Sequence, residues 1–212
     1  MHVLNEKLAA APVVPVVVLE DADKAVPLAE ALVAGGLPVI EVTMRTAAAP
    51  AAISAIAREV PEAIIGAGTV LNAAQANTIL DAGAQFLVSP GLDDGVVGTA
   101  ADRGVPIMPG VATATEAQRA WNLGLRTVKF FPAGQAGGVP MLKALSSVFR
   151  DLSFMPTGGV SSTNLAEYLL LPQVLACGGS WLTPADAVAA GDWMRIEALA
   201  SEAVSIASVA RA

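Results

Sequence analysis

The chain has 212 residues, 54% of them hydrophobic and 15% charged, with a formal net charge of −7. That length suits one domain with a full core, and the acidic balance argues against a nucleic-acid partner, because no basic cluster exists to neutralise phosphates. A single histidine, His2, and a single cysteine, Cys177, exclude an internal disulfide and take support from histidine triads and His/Cys metal sites, so neither metal nor cofactor is expected.

The first ten residues predict a short extra helix. Met1-His2-Val3-Leu4-Asn5-Glu6-Lys7 lacks the basic region and apolar core of a signal peptide. No uninterrupted apolar stretch reaches the ~18 residues of a membrane span, so a cytoplasmic protein with no membrane partner is expected. Thereafter short apolar runs alternate with alanine-rich amphipathic segments. Run Val13–Leu19 precedes helix Ala22–Ala34, Pro38–Met44 precedes Ala48–Glu59, and Ala63–Thr69 precedes Ala73–Ala82. Run Gln85–Pro90 leads to Asp93–Asp102, Val105–Pro109 to Ala114–Asn122, and Thr127–Pro132 to Val139–Ser147. Last come Ser153–Gly158 with Ser162–Leu170, then Val174–Gly179 with Trp193–Ala210. The runs are broken by Gly, Pro or a charge, as buried parallel strands are. Gly35-Gly36, Gly83 and Gly104 read as helix ends, and Asn72, Thr113, Ser161 and Ser162 as N-caps.

Eight such βα units with tight connections and no linker predict a single-domain (β/α)8 TIM barrel over residues 1–212. An open doubly wound sheet is the alternative, but Leu19-Glu20-Asp21 stands where its Gly-x-Gly-x-x-Gly fingerprint belongs. The three tryptophans (Trp121, Trp181, Trp193) read as packing residues and the methionines as core filler.

Polar residues inside the strands carry the functional signal. Alternate residues of a barrel strand point inward. In the second run Ile40, Val42 and Met44 must meet the helices, which turns Glu41, Thr43 and Arg45 to the interior and the mouth. In the sixth, Val128 and Phe130 point out while Thr127, Lys129 and Phe131 point in. Lys129 is one of only four lysines and the one inside a strand. A buried ammonium finds a partner or gives up its proton, and a free amine attacks carbonyls. Strands two and six share the interior layers, so Glu41 is placed across the lumen from Lys129. A purely structural ion pair is the competing explanation.

The strand ends add Thr69 at the third, Ser89-Pro90-Gly91 at the fourth, Thr157-Gly158-Gly159 at the seventh and Gly178-Gly179-Ser180 at the eighth. Each glycine alone is ordinary turn chemistry. Glycine pairs after both the seventh and eighth strands mark the usual phosphate site of this barrel. The residues admit three functions: a lysine Schiff-base enzyme, a phosphate-binding isomerase or epimerase using Glu41 and Lys129 as acid and base, or a sugar-phosphate binder with no chemistry.

Taken in order, the segments Val13-Val14-Pro15-Val16, Ala34-Gly35-Gly36, Glu41-Val42-Thr43-Met44-Arg45-Thr46, Gly66-Ala67-Gly68-Thr69-Val70-Leu71 and Gly83-Ala84-Gln85-Phe86 resemble the KHG/KDPG aldolases. So do Ser89-Pro90-Gly91, Lys129-Phe130-Phe131-Pro132-Ala133, Pro156-Thr157-Gly158-Gly159 and Gly178-Gly179-Ser180-Trp181. The resemblance implies a class I lyase of carbohydrate metabolism, in the Entner–Doudoroff pathway, cleaving 2-keto-3-deoxy-6-phosphogluconate or a relative to pyruvate. It implies that Lys129 forms the Schiff base and Glu41 moves protons. Arg45 and Thr69 would hold the pyruvyl carboxylate, Phe131 would pack on the pyruvyl unit, and Pro90 and Thr157 would line the pocket. Gly158, Gly159, Gly179 and Ser180 would bind the phosphate, and the assembly would be a homotrimer. One departure stands out: many members carry Glu after Phe-Phe-Pro-Ala, where this chain has Gly134-Gln135.

Overall fold

A computed structural model describes residues 2–212, apart from the side chains of residues 2, 3 and 5, so the imidazole of His2 lies outside the described atoms. Nine strand segments run in the order β1 (Val13–Val17), β2 (Val39–Thr43), β3 (Ile64–Gly68), β4 (Phe86–Val88), β5 (Ile107–Met108), β6 (Gly110–Val111), β7 (Thr127–Phe130), β8 (Ser153–Pro156) and β9 (Cys177–Gly179). They pair in parallel as β5-β4-β3-β2-β1-β9 and β6-β7-β8. Two seams close them into one barrel. Bridges Phe154↔Val174 and Thr157↔Gly178 join β8 to the β9 side, and β5 and β6 are two halves of a single stave broken at Pro109.

The fifth run therefore needs correction at its end. Proline has no N–H for the ladder and interrupts the pairing. The Pro109 carbonyl still accepts from the Lys129 N–H at 2.9 Å, and the stave continues through Gly110–Val111, beyond the expected end. The result is the eight-stave (β/α)8 barrel that the alternation of runs and helices predicts.

The expected helices form as α1 (His2–Ala10), α2 (Ala25–Ala34), α3 (Ala49–Glu59), α4 (Ala73–Asp81), α5 (Asp94–Asp102), α6 (Ala114–Asn122), α7 (Gly138–Val148), α8 (Leu165–Leu169) and α10 (Trp193–Arg211). Asn72 caps α4 by accepting from the Gln75 N–H at 2.9 Å. Thr113 and Glu116 form a full capping box on α6. Its hydrogen bonds, first that from the Ala112 N–H, hold the Glu116 carboxyl below the ordinary carboxylate range. Positive φ at Gly36, Gly83 and Gly104 ends α2, α4 and α5.

Ser161 and Ser162 are not caps. Asn164 Oδ1 accepts from the Ser161 N–H at 2.9 Å and folds the segment into a turn, so α8 begins only at Leu165. The first three residues of the expected helix Ala22–Ala34 form a 3-10 turn (Ala22–Lys24) ahead of α2, and one element goes beyond the sequence expectation: α9 (Ala185–Ala190) between Pro184 and a left-handed Gly191. Met194 stands 83% exposed, against its expected place in the core, and Trp121 lies at the surface with the Arg126 guanidinium 4.9 Å from its ring centroid. Among the described residues, no helix is long and apolar enough to cross a membrane.

The apolar residues sort into two layers. Ile40, Val42, Val128, Phe130 and Phe154 face outward and pack on the helices. Leu4 and Leu8 of α1 join Val14, Val39, Phe86, Val88, Met108, Met155 and Ala176 in a separate cluster that fills the lower lumen. The extra helix thus plugs the floor and leaves polar chemistry to the opposite end. Leu8→Ala is expected to cost roughly 2–5 kcal/mol, because Leu8 is fully buried in that plug; a drop in the urea midpoint at unchanged m-value checks it.

Candidate active site

Above the plug the lumen changes character. Glu41 lies at the middle of β2, flanked by Val16 of β1 and Gly66 of β3 in the register. Lys129 lies on β7 between Gly110 and Met155. The two staves face each other across the barrel, and Lys129 Nζ donates to Glu41 Oε1 at 3.2 Å. Lys129 is 4% exposed and Glu41 fully buried. The carboxylate's second oxygen, Oε2, is buried with no hydrogen-bond partner among the described residues. An orphaned carboxylate oxygen beside an amine is costly to maintain in a core and suits a group that receives and returns a proton.

Small residues make this arrangement possible. Above Ile64, which packs on the lumen plug, the inward positions of β3 are Gly66 and Gly68. A Cβ on Gly66 would meet the Phe86 ring at 2.3 Å, and one on Gly68 would meet Glu41 Oε1 at 2.0 Å. The Phe131 ring lies beside the amine, its centroid 5.2 Å from Lys129 Nζ, within reach of a cation–π attraction. A Cβ on Gly158 would sit 3.4 Å from Phe131 Cε2.

The remaining sequence candidates gather at the C-terminal ends of the staves. Thr43, inward as expected, is buried and donates to the Val17 carbonyl at 2.9 Å, tying β2 to β1 rather than facing a ligand. Thr69 follows β3 with φ 58°, the one non-glycine residue in the left-handed region among those described. For a β-branched side chain this conformation costs about 1–3 kcal/mol, and such strain gathers at functional sites. Ser89 Oγ donates to the Gly91 carbonyl at 2.7 Å and holds the turn that carries Pro90. Arg45 lies past the end of β2, exposed, without a hydrogen bond or ion pair among the described residues. With Ser180 it lines a cavity of about 490 Å³ that also touches Glu20, Lys24 and Thr183. Lys24 itself is occupied, donating to the Ala189 carbonyl at 2.6 Å at the end of α9.

The two glycine pairs differ. Gly158 and Gly159 have φ of 91° and 81°, which the turn after β8 requires of glycine. Gly178 and Gly179 answer to packing: a Cβ on the first would strike Thr157 Oγ1 at 2.3 Å inside the barrel, and one on the second the Trp181 ring at 1.6 Å outside it. Thr157 is itself buried, its hydroxyl beside the Met155 carbonyl at 3.4 Å. Sequence reasoning missed the part Gly68 plays in seating Glu41. Gly-x-Gly alternation on an inward face was the available signal. Burial raises the Cys177 thiol far above its usual range and leaves it inert as a nucleophile. Among the described residues no cluster of His, Cys, Asp or Glu forms a metal-ligand set.

The family model for "KDPG and KHG aldolase" matches residues 4–199. The chain belongs to this family. It is 52% identical over 197 residues to the KHG/KDPG aldolase of Escherichia coli strain K12, covering 93% of this chain and 92% of that protein. A crystal structure of KDPG aldolase from Legionella pneumophila, with pyruvate captured as a covalent carbinolamine, superposes with a TM-score of 0.91 at 42% identity, covering 94% and 97% of the two chains. The Zymomonas mobilis 2-keto-3-deoxy-6-phosphogluconate aldolase with 3-phosphoglycerate gives 0.90 at 46% identity, covering 97% of each. The chain is thus a carbon–carbon lyase on a TIM-barrel-like fold.

The lumen geometry makes the two charges interdependent. Lys129→Met strands the Glu41 carboxylate without its partner and is expected to destabilise the fold by roughly 3–5 kcal/mol. Lys129→Met combined with Glu41→Gln should recover much of that loss. Denaturant titration of the parent, Lys129→Met, Glu41→Gln and the double variant checks the non-additivity.

Proposed function

We propose that this chain cleaves 2-keto-3-deoxy-6-phosphogluconate reversibly to pyruvate and glyceraldehyde 3-phosphate through a Schiff base on Lys129. The observation that carries the reading is the buried amine held 3.2 Å from a carboxylate whose other oxygen has no partner among the described residues. The amine adds to the C2 carbonyl to give a carbinolamine, and loss of water gives an iminium. Glu41 carries protons through both steps. It then accepts the C4 hydroxyl proton as the C3–C4 bond breaks, and the bonding pair flows into the iminium to form a neutral enamine. The aldehyde leaves, Glu41 returns a proton to C3, and hydrolysis of the pyruvyl iminium frees Lys129.

The other residues position the substrate. Arg45 supplies an unpaired guanidinium for the pyruvyl carboxylate, joined by the Thr69 hydroxyl. Phe131 packs on the pyruvyl unit, and Pro90 and Thr157 shape the wall. Gly158, Gly159, Gly179 and Ser180 surround the phosphate; the N–H groups of Gly159 and Ser180 have no backbone acceptor among the described residues, which supports an anion there. The same iminium accommodates 4-hydroxy-2-oxoglutarate, which would yield pyruvate and glyoxylate. Its first four carbons carry the same functional groups, and the E. coli relative bears both activities in its name. The enzyme is read as a cytoplasmic homotrimer, in keeping with the exposed Trp121, Leu123 and Val148 near the ends of α6 and α7.

Pyruvate with borohydride is expected to add one reduced pyruvyl group, mapped by peptide mass spectrometry to Lys129; full labelling of Lys129→Ala overturns the assignment. An isomerase, or a binder without chemistry, would leave no trapped adduct at all. Glu41→Gln is expected to lower kcat by about 10²–10⁴-fold while still permitting slow adduct formation. Pyruvate release from a panel of phosphorylated and unphosphorylated 2-keto-3-deoxy acids sets the substrate preference.

A further inference from the structure

We propose that Gly68 is a positioning residue for the proton-transfer step, acting solely by leaving the notch in which the Glu41 side chain lies. The inference rests on the acid/base role given to Glu41 above. Glu41 is level with Gly66 in the β2–β3 register, and its side chain rises one inward position along the stave to lie over Gly68. The three heavy atoms nearest a Cβ built on Gly68 all belong to Glu41: Oε1 at 2.0 Å, Cδ at 2.6 Å and Cγ at 2.7 Å. No residue with a side chain fits there while the carboxylate keeps its place.

Backbone conformation does not explain this glycine. Gly68 is absent from the positive-φ positions, so alanine can adopt its φ and ψ. Close approach of a ligand is not needed either, because the volume its Cβ would take is already filled by Glu41. The notch sets two features of the carboxylate at once. It holds Oε1 within hydrogen-bond distance of Lys129 Nζ, and it fixes where Oε2 is buried without a partner. To clear an alanine methyl the carboxylate must retreat by about 1 Å, a displacement that can cost about 10²-fold in rate when it misplaces a reacting group. The atoms that would have to move belong to a side chain and not to the backbone, so the fold can absorb the change.

The test is a double-mutant cycle of Gly68→Ala with Glu41→Ala, read as pyruvate release from 2-keto-3-deoxy-6-phosphogluconate and as thermal melting. Gly68→Ala is expected to lower kcat about 10²-fold with KM changed only a few-fold. Added to Glu41→Ala it should change neither kcat nor Tm, since the atoms it would strike are gone. Parental kcat in Gly68→Ala, or a double variant well below Glu41→Ala, overturns the proposal. Should Gly68→Ala fail to fold, a double variant that melts with Glu41→Ala supports the notch, and one that also fails to fold refutes it. Parental turnover in Glu41→Ala would instead bring down the acid/base role itself.

Discussion

The contact between Lys129 and Glu41 constrains the rest of the molecule. Two opposite charges inside a barrel lose their hydration, and their mutual attraction offsets that loss only at close range and with good geometry. Staves two and six are four apart in an eight-stave barrel and therefore face one another, which lets residues from sequence-distant strands share a layer. Neither residue alone can be accommodated comfortably: each is the other's hydrogen-bond partner, in a layer otherwise made of glycine, threonine and apolar atoms. The surrounding residues keep that pair dry from below and leave polar groups above it. α1 closes the lower lumen with Leu4 and Leu8, and the polar and glycine residues collect at the opposite end.

Glycine has several physical jobs in this site, and telling them apart alters what each one implies. At Gly158 and Gly159 it permits a left-handed backbone in the turn after β8. At Gly66 it admits the Phe86 ring into the lumen. At Gly178 and Gly179 it yields space on opposite faces of β9, to Thr157 within and Trp181 without. A glycine-rich strand end is thus an ambiguous mark of phosphate binding, because packing alone would require both glycines of β9. The glycines at 158 and 159 instead answer to backbone conformation in a turn, the kind of setting in which successive N–H groups can form an anion-binding concavity.

Much of this was legible in the sequence, for a reason particular to barrels. Strand alternation has a period of two, so the outward face of β2, carrying Ile40 and Val42, fixed the inward direction of Glu41, and Val128 with Phe130 did the same for Lys129. That logic needs only the run of apolar residues, not its precise ends. Features that depend on precise ends were less legible. Pro109 split the fifth stave where a single run was expected, because a missing N–H breaks pairing without breaking the chain direction. Ser161 and Ser162 looked like caps, but Asn164 took the local hydrogen bond and delayed α8. α9 is only six residues long and too short to show a helical period; its signals were Pro184 and Gly191 alone.

The strained Thr69 shows how the site is held rather than merely assembled. A threonine in the left-handed region follows directly on Gly68, whose missing side chain seats Glu41, so one short segment carries both a steric notch and a conformational cost. Strand β3 has stave pairing on both sides, five residue pairs with β2 and two with β4, and Val70 N–H reaches across to the Val88 carbonyl at 3.3 Å. Those bonds supply the free energy that keeps Thr69 in its unfavourable conformation. Relaxing Thr69 to an extended backbone would redirect both its hydroxyl and the following chain away from the mouth. The rim at this stave is therefore set by the ladder beneath it, and the same ladder holds the Gly68 notch that aligns Glu41 with Lys129.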